Sequence, residues 1–191
     1  SARQRFWARN MVGWRFMTDA QPNQAHRALV SLGQLGVVST LVTQNVDGLH
    51  QRAGSQGVID LHGRLDTVAC MGCGIKYPRA PMQQWLESNN PEQSRLAGTI
   101  APDGEADIDH LDYGSMQVPD CEYCGGIIKP NAVFFGDSIP KDRVAEAQLQ
   151  LQNAEGLLVA GSSLAVYSGY RFCLWAQQQG KPILIVNQGK T

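Results

Sequence analysis

This sequence has almost no excess of charge of either sign, no long hydrophobic run and no glycine-rich dinucleotide fingerprint. Its 16 Lys and Arg against 17 Asp and Glu leave a net charge of −1. That balance gives no electrostatic footprint for nucleic acid or for an anionic membrane surface, and neither is expected as a partner. No apolar stretch approaches the roughly 18 residues that a membrane-crossing helix needs. The opening SARQRFWARN lacks the apolar core and small-residue cleavage site of a secretory signal. It also lacks Met and starts in helix-like sequence, and it reads as a fragment. No strand–GxGxxG–helix with a following acid occurs, which argues against a hydride-transferring oxidoreductase built on that motif.

What is present is globular in composition. The chain has 191 residues, 43% hydrophobic and 17% charged, enough for one core plus a small module. Four of its five cysteines form two C-x-x-C pairs, Cys70/Cys73 and Cys121/Cys124. Without a secretory signal that arrangement favours metal over disulfides. Zn²⁺ takes four thiolates in a tetrahedron, and each pair supplies two from one knuckle, with Gly72, Gly74, Gly125 and Gly126 allowing the turns. The alternative is four buried or redox-active thiols. A closed structural site is expected. The fifth, Cys173, reads as a small apolar residue on a helix face.

Periodicity outlines an α/β chain. Residues 1–20 mix aromatics with arginines and read as a helix with an apolar side; Asn23 caps a second helix, with Ala25, Leu29 and Leu32 at helical spacing, that Gly36 closes. VVSTLVTQ (37–44) reads as a buried strand and VIDL (58–61) as a shorter one. AVFF (132–135), LLVA (157–160) and PILIV (182–186) are further strands, and 140–154 and 169–179 are helices. Strand, loop, helix, strand at this spacing is a βαβ unit of a parallel sheet. The stretch 88–120 is polar and turn-rich. Its acids Asp103, Glu105, Asp107, Asp109 and Asp112 read as a solvated insertion rather than a cation site.

Three polar segments follow apolar strands: Gln44–Asn45–Asp47, then Gly161–Ser162–Ser163, then Asn187 with Gly189. Ligands of open α/β sheets bind beyond the carboxyl ends of the strands, and a Gly/Ser turn entering a helix suits phosphate. Many βα turns share that composition, so the convergence counts for more than any one segment. It points to a large polar ligand, most simply a nucleotide. His62, in LHG at a strand end, fits a general base or a hydrogen-bonded structural histidine.

QNVDGLH, LHG, the two C-x-x-C pairs, KPNAVFFGD, GSSLAV and VNQGKT in this order resemble the sirtuins, NAD-dependent protein-lysine deacylases. VGW, APDG, FFGDSIPK and SSLAVYSGYRF look most like the class II branch, near the mitochondrial lipoamidase and ADP-ribosyltransferase type and its bacterial relatives. The resemblance implies a Rossmann-like parallel sheet with helices on both faces, formed by 1–66 and 126–191, and a zinc-binding module over 67–125. It implies NAD and Zn²⁺ as cofactors, acylated-lysine proteins as partners, and a bacterial cytoplasm or mitochondrial matrix as compartment. By the same resemblance, Asn45 and Asp47 hold the nicotinamide carboxamide, Gln44 a ribose hydroxyl, and His62 is the base. Gly161, Ser162 and Ser163 meet phosphates or ribose, and Asn187, with Gly189, the adenosine ribose. Phe135–Gly136–Asp137 and Val166–Tyr167 flank an extended peptide that pairs as an added strand. FGD stands where the family more often has FGE. The family's opening strand with its GAGxS loop and PDFR segment has no counterpart here, and family members continue beyond VNQGKT. With those parts of the family domain missing, weak NAD binding is expected. The alternatives kept open are ADP-ribosyl transfer and binding of ADP-ribose or acyl-lysine without turnover.

Overall fold

The computed structural model describes residues 1–95, 99–100, 106–107, 113–134 and 136–189. In chain order its elements are α1 (Ala2–Asp19), α2 (Gln24–Gln34), β1 (Leu41–Thr43), α3 (Leu49–Ala53), β2 (Val58–Asp60), β3 (Gly63–Cys70), β4 (Lys76–Pro78), α4 (Arg79–Asn89), α5 (Pro91–Ser94), β5 (Thr99–Ile100), β6 (Ala106–Asp107), β7 (Ile128–Ala132), α6 (Lys141–Asn153), β8 (Leu157–Ala160), α7 (Tyr167–Gln178) and β9 (Ile183–Val186). Phe135 and the acids Asp103, Glu105, Asp109 and Asp112 lie outside the described residues.

The chain divides into two units. Unit 1 holds residues 1–22, 47–49 and 64–132; unit 2 holds 23–46, 50–63 and 133–191. Unit 2 carries two parallel pairs. Leu41–Thr43 of β1 runs beside Val58–Asp60 of β2, and Leu157–Ala160 of β8 beside Ile183–Val186 of β9. Its core gathers Ile59 and Leu61 from the β2 segment, Ala147 and Leu151 from α6, and Phe172 and Ala176 from α7. Helices thus cover parallel strands, the α/β architecture expected.

Unit 1 is built on the three-stranded sheet β4–β3–β7, in which β3 and β4 pair antiparallel. Trp7, Met11 and Val12 of α1 share one core with Val68, Cys70, Met82, Leu86, Cys121 and Ile128. The first helix therefore packs with the cysteine-bearing segment, where the sequence reading placed it with the Rossmann-like part.

Local boundaries also differ from the sequence reading. The strand expected over 37–44 is only Leu41–Thr43, because the Val37 and Val38 amides bond back to the Leu32 carbonyl and finish α2 instead. Nor is it buried throughout: Val42 is exposed. The strand expected at AVFF sits earlier, over Ile128–Ala132, and includes Pro130, which an edge strand tolerates.

Candidate functional site

Four thiols meet in unit 1. The sulfurs of Cys70, Cys73, Cys121 and Cys124 all lie within 4.8 Å of one another. Cys70 Sγ is 3.4 Å from Cys124 Sγ, and Cys73 Sγ 3.8 Å from Cys121 Sγ. Tetrahedral zinc at its usual Zn–S length separates its sulfurs by about 3.8 Å, so the set fits Zn²⁺ with all four positions filled by protein. The knuckles close on each other tightly. A Cβ on Gly126 would lie 3.0 Å from Cys70 Sγ and 3.4 Å from Gly72 Cα, so neither an alanine nor anything larger fits there without displacement. Hydrogen bonds from the Cys73 and Gly72 amides pull the Cys70 thiol down to about 6. The Gly126 amide favours a Cys124 thiolate too, but proton sharing with Cys70 and Cys73 prevails and pushes Cys124 up to about 12. Four such sulfurs become thiolates together only around a cation.

The second constellation lies in unit 2, at the carboxyl ends of β1 and β2. Leu61 is fully buried, and its amide continues the ladder by donating to Thr43 O at 2.9 Å. The next residue, His62, accepts the Val133 amide on its carbonyl at 2.8 Å. The imidazole lies between two polar groups. Its Nδ1 is 3.1 Å from the Gln44 carbonyl, and its Nε2 is 3.0 Å from Ser168 Oγ. Gln44 Nε2 donates to the same Ser168 Oγ at 2.9 Å. Burial holds the His62 imidazole below its ordinary value of 6.5; the Gln44 carbonyl opposes that shift and the Arg171 guanidinium adds to it. At neutral pH His62 is therefore an unprotonated imidazole able to accept a proton.

The loop after β8 departs from regular backbone geometry at two positions. Gly161 has φ 63°, and Leu164, at φ 54°, is the one non-glycine of positive φ among the described residues. A left-handed leucine costs on the order of 1 kcal/mol, a strain that recurs at functional loops. Ser162 Oγ accepts the Leu164 amide and Ser163 Oγ the Ala165 amide. Ser163 and Leu164, with Tyr170 and Cys173 of α7 and Ile183 and Ile185 of β9, line an open cleft of about 420 Å³. Asn187 follows β9 and donates to Gly189 O at 3.4 Å.

The remaining expected residues are placed as follows. Asn45 is exposed, and its amide donates to Thr43 Oγ1. Asp47 falls in unit 1, where its carboxylate accepts the Leu49 amide at the start of α3. Gly136 and Asp137 form a turn in which Asp137 Oδ2 accepts the Phe134 amide. Val166 precedes α7 and Tyr167 opens it; both are exposed, and Arg171 stacks 5.1 Å from the Tyr167 ring centroid. Sequence reasoning missed Ser168 and Arg171. A serine in YSGYRF carries no signal of its own; only the fold brings it to His62.

The Sir2 family model matches residues 2–168. The chain is 53% identical over 190 residues to the NAD-dependent protein deacetylase of Bordetella bronchiseptica, which covers 100% of this chain and 69% of that protein. It is also 53% identical over 189 residues to NAD-dependent protein deacetylase 2 of Bradyrhizobium diazoefficiens, again 69% of that protein. Among solved structures, Sir2 bound to acetylated peptide matches with a TM-score of 0.73 at 35% identity, over 92% of this chain and 62% of that one. A Sir2 homolog–NAD complex matches with a TM-score of 0.69 at 32% identity, over 94% and 59%.

Proposed function

The chain belongs to the Sir2 family, and on that premise we propose that it is an NAD-dependent protein-lysine deacylase, yielding nicotinamide, O-acyl-ADP-ribose and free lysine. The observation that carries the reading is the half-buried His62 held between the Gln44 carbonyl and Ser168 at the carboxyl ends of parallel strands. Bound NAD supplies the nicotinamide leaving group and the ribose that receives the acyl oxygen. The protein's own groups then have distinct tasks. His62 takes a proton from a ribose hydroxyl, and the depressed basicity of its imidazole keeps it ready to do so at neutral pH. Gln44 contacts a ribose hydroxyl, and Asn45 and Asp47 orient the carboxamide. Gly161, Ser162 and Ser163 receive the phosphates at the turn into α7, and Asn187 with Gly189 the adenosine ribose. Gly136, Asp137, Val166 and Tyr167, with Phe135, bracket the peptide.

In this reading unit 2 carries His62, Gln44, Asn45 and the Gly161–Ser163 and Asn187 groups that meet the nucleotide. The four-cysteine site of unit 1 holds zinc as a structural ion, because no coordination position is left for a substrate. Within the family we infer the class II branch near the lipoamidase and ADP-ribosyltransferase type, on VGW, APDG, FFGDSIPK and SSLAVYSGYRF, and a bacterial cytoplasm as the setting. Nicotinamide release from NAD with a panel of acetyl-, longer acyl- and lipoyl-lysine peptides tests all of this. Release that requires both a peptide and His62 is expected; release indifferent to His62→Ala rules the mechanism out. ADP-ribose appearing on protein instead of acyl-ADP-ribose would favour the transferase alternative.

A further inference from the structure

Gln44, Ser168 and His62 form a closed hydrogen-bond circuit whose polarity follows from chemistry alone. The Gln44 carbonyl only accepts, so the hydrogen in its 3.1 Å contact sits on His62 Nδ1. A neutral imidazole protonated at Nδ1 has its lone pair on Nε2. The group 3.0 Å from that nitrogen is the Ser168 hydroxyl, which must therefore donate. Ser168 Oγ is left as an acceptor, and the Gln44 Nε2–H fills it at 2.9 Å. The circuit begins on the side chain of residue 44 and ends on its carbonyl. Ser168 is buried at 7% exposure in the first turn of α7, so water does not replace it freely.

We propose that Ser168 is a positioning residue for His62, fixing the imidazole in one ring orientation and one tautomer with Nε2 as the basic nitrogen. This rests on the reading of His62 as the base. A histidine bonded only through Nδ1 swings about that contact; the second bond removes the freedom. A substrate hydroxyl that takes over the Ser168 bond then meets a lone pair already aimed. The circuit also favours the neutral ring. Protonation would turn Nε2 into a donor facing a hydroxyl hydrogen, and Ser168 would have to rotate that hydrogen away. Arg171, on the same helix, is the charged group acting on the ring. Asp60, two residues before His62, is engaged on both oxygens by Gln51 Nε2.

The test is a ¹⁵N NMR titration of His62 in the protein and in Ser168→Ala, with His62→Ala to assign the resonance, beside the pH dependence of kcat/KM for nicotinamide release. At high pH the wild-type ring should show the Nδ1–H tautomer. Loss of the hydroxyl donor should raise the His62 midpoint by about half a unit to one unit, the size of one hydrogen bond, and move the acid limb of kcat/KM upward equally. An unchanged midpoint in Ser168→Ala, or an Nε2–H tautomer in the wild type, overturns the inference. The two readings fail separately. A midpoint that moves while nicotinamide release ignores His62→Ala supports the positioning and removes the base role. Release that needs His62 with a midpoint that stays put does the reverse.

Discussion

A Cβ built on Gly169 would lie 2.6 Å from Gln44 Oε1 and 3.0 Å from its Cδ. Glycine at this position is thus a condition of the Gln44–Ser168 bond rather than of the helix, where alanine is the better residue. Gly169→Ala should push the Gln44 amide off Ser168 while leaving α7 intact. Nicotinamide release is expected to fall by about tenfold or more with no loss of thermal stability, seen by steady-state rates beside a melt. Full activity in that variant would show that the Gln44 placement is idle. His62 carries a second expectation at this scale. Its imidazole binds a proton less readily folded than unfolded, where it titrates near 6.5. The contribution of neutral burial is therefore fully present above that value. It is lost as pH falls below 6.5, where the unfolded chain takes up the proton first. Urea midpoints measured from pH 7.5 to 5.5 should decline, and His62→Ala should decline less.

At the scale of elements, the cysteine knuckles and α1 stand or fall together. Cys70 and Cys121 are core residues beside Trp7, Met11 and Val12. Removing zinc leaves four crowded sulfurs with no cation, so the packing of α1, β3 and β7 should loosen. Hydrogen exchange after chelation should show protection lost there and kept in α6 and α7, whose core holds none of the four cysteines. Equal loss in both units would contradict this. Arg79, the first residue of α4, is fully buried. Its guanidinium lies 4.9 Å from the Trp7 ring and 5.3 Å from the Trp14 ring. Asn10 Oδ1 accepts from its Nη2, but Nε and Nη1 have no hydrogen-bond partner among the described residues. Burial pulls this guanidinium down to about 10, so it stays charged. Arg79→Ala should cost about 2–4 kcal/mol through the cavity it opens, whereas Arg79→Met should stay within about 1 kcal/mol of the wild type in urea unfolding.

These elements show what a sequence reveals. LLVA at 157–160 reads as a strand and is one, being short, apolar and bounded by glycines at 156 and 161. Asn23 reads as a cap, and it accepts the His26 amide. The strand at 37–44 reads longer in the sequence than it is, because nothing in VVST announces that two amides return to Leu32. Neither the eight-residue strand β3 nor helix α4 was anticipated; cysteines and turn residues mask the first, and Pro81 lies within the first turn of the second. Gln44 and His62 were legible as polar residues at strand ends. Ser168 was not, because its role exists only once α7 is brought to β1.

At the scale of the whole molecule, the four-cysteine set and the histidine circuit fall in different units. Unit 1 holds the four-thiolate set and unit 2 the histidine circuit, each on its own core. In unit 2 the parallel strands form two separate pairs, and the apolar residues of β9 remain open: Leu184 is 63% exposed and Val186 59%. The chain spans 64–69% of the curated relatives and about three fifths of the solved Sir2 chains it resembles. The central claim is that His62 serves as the base of an NAD-consuming acyl transfer. Its most direct test follows a labelled acyl group from a lysine peptide in the protein and in His62→Ala. Label on ADP-ribose is expected with the wild type and none with the variant. Label released as the free acid, or carried to ADP-ribose equally by both proteins, would contradict it.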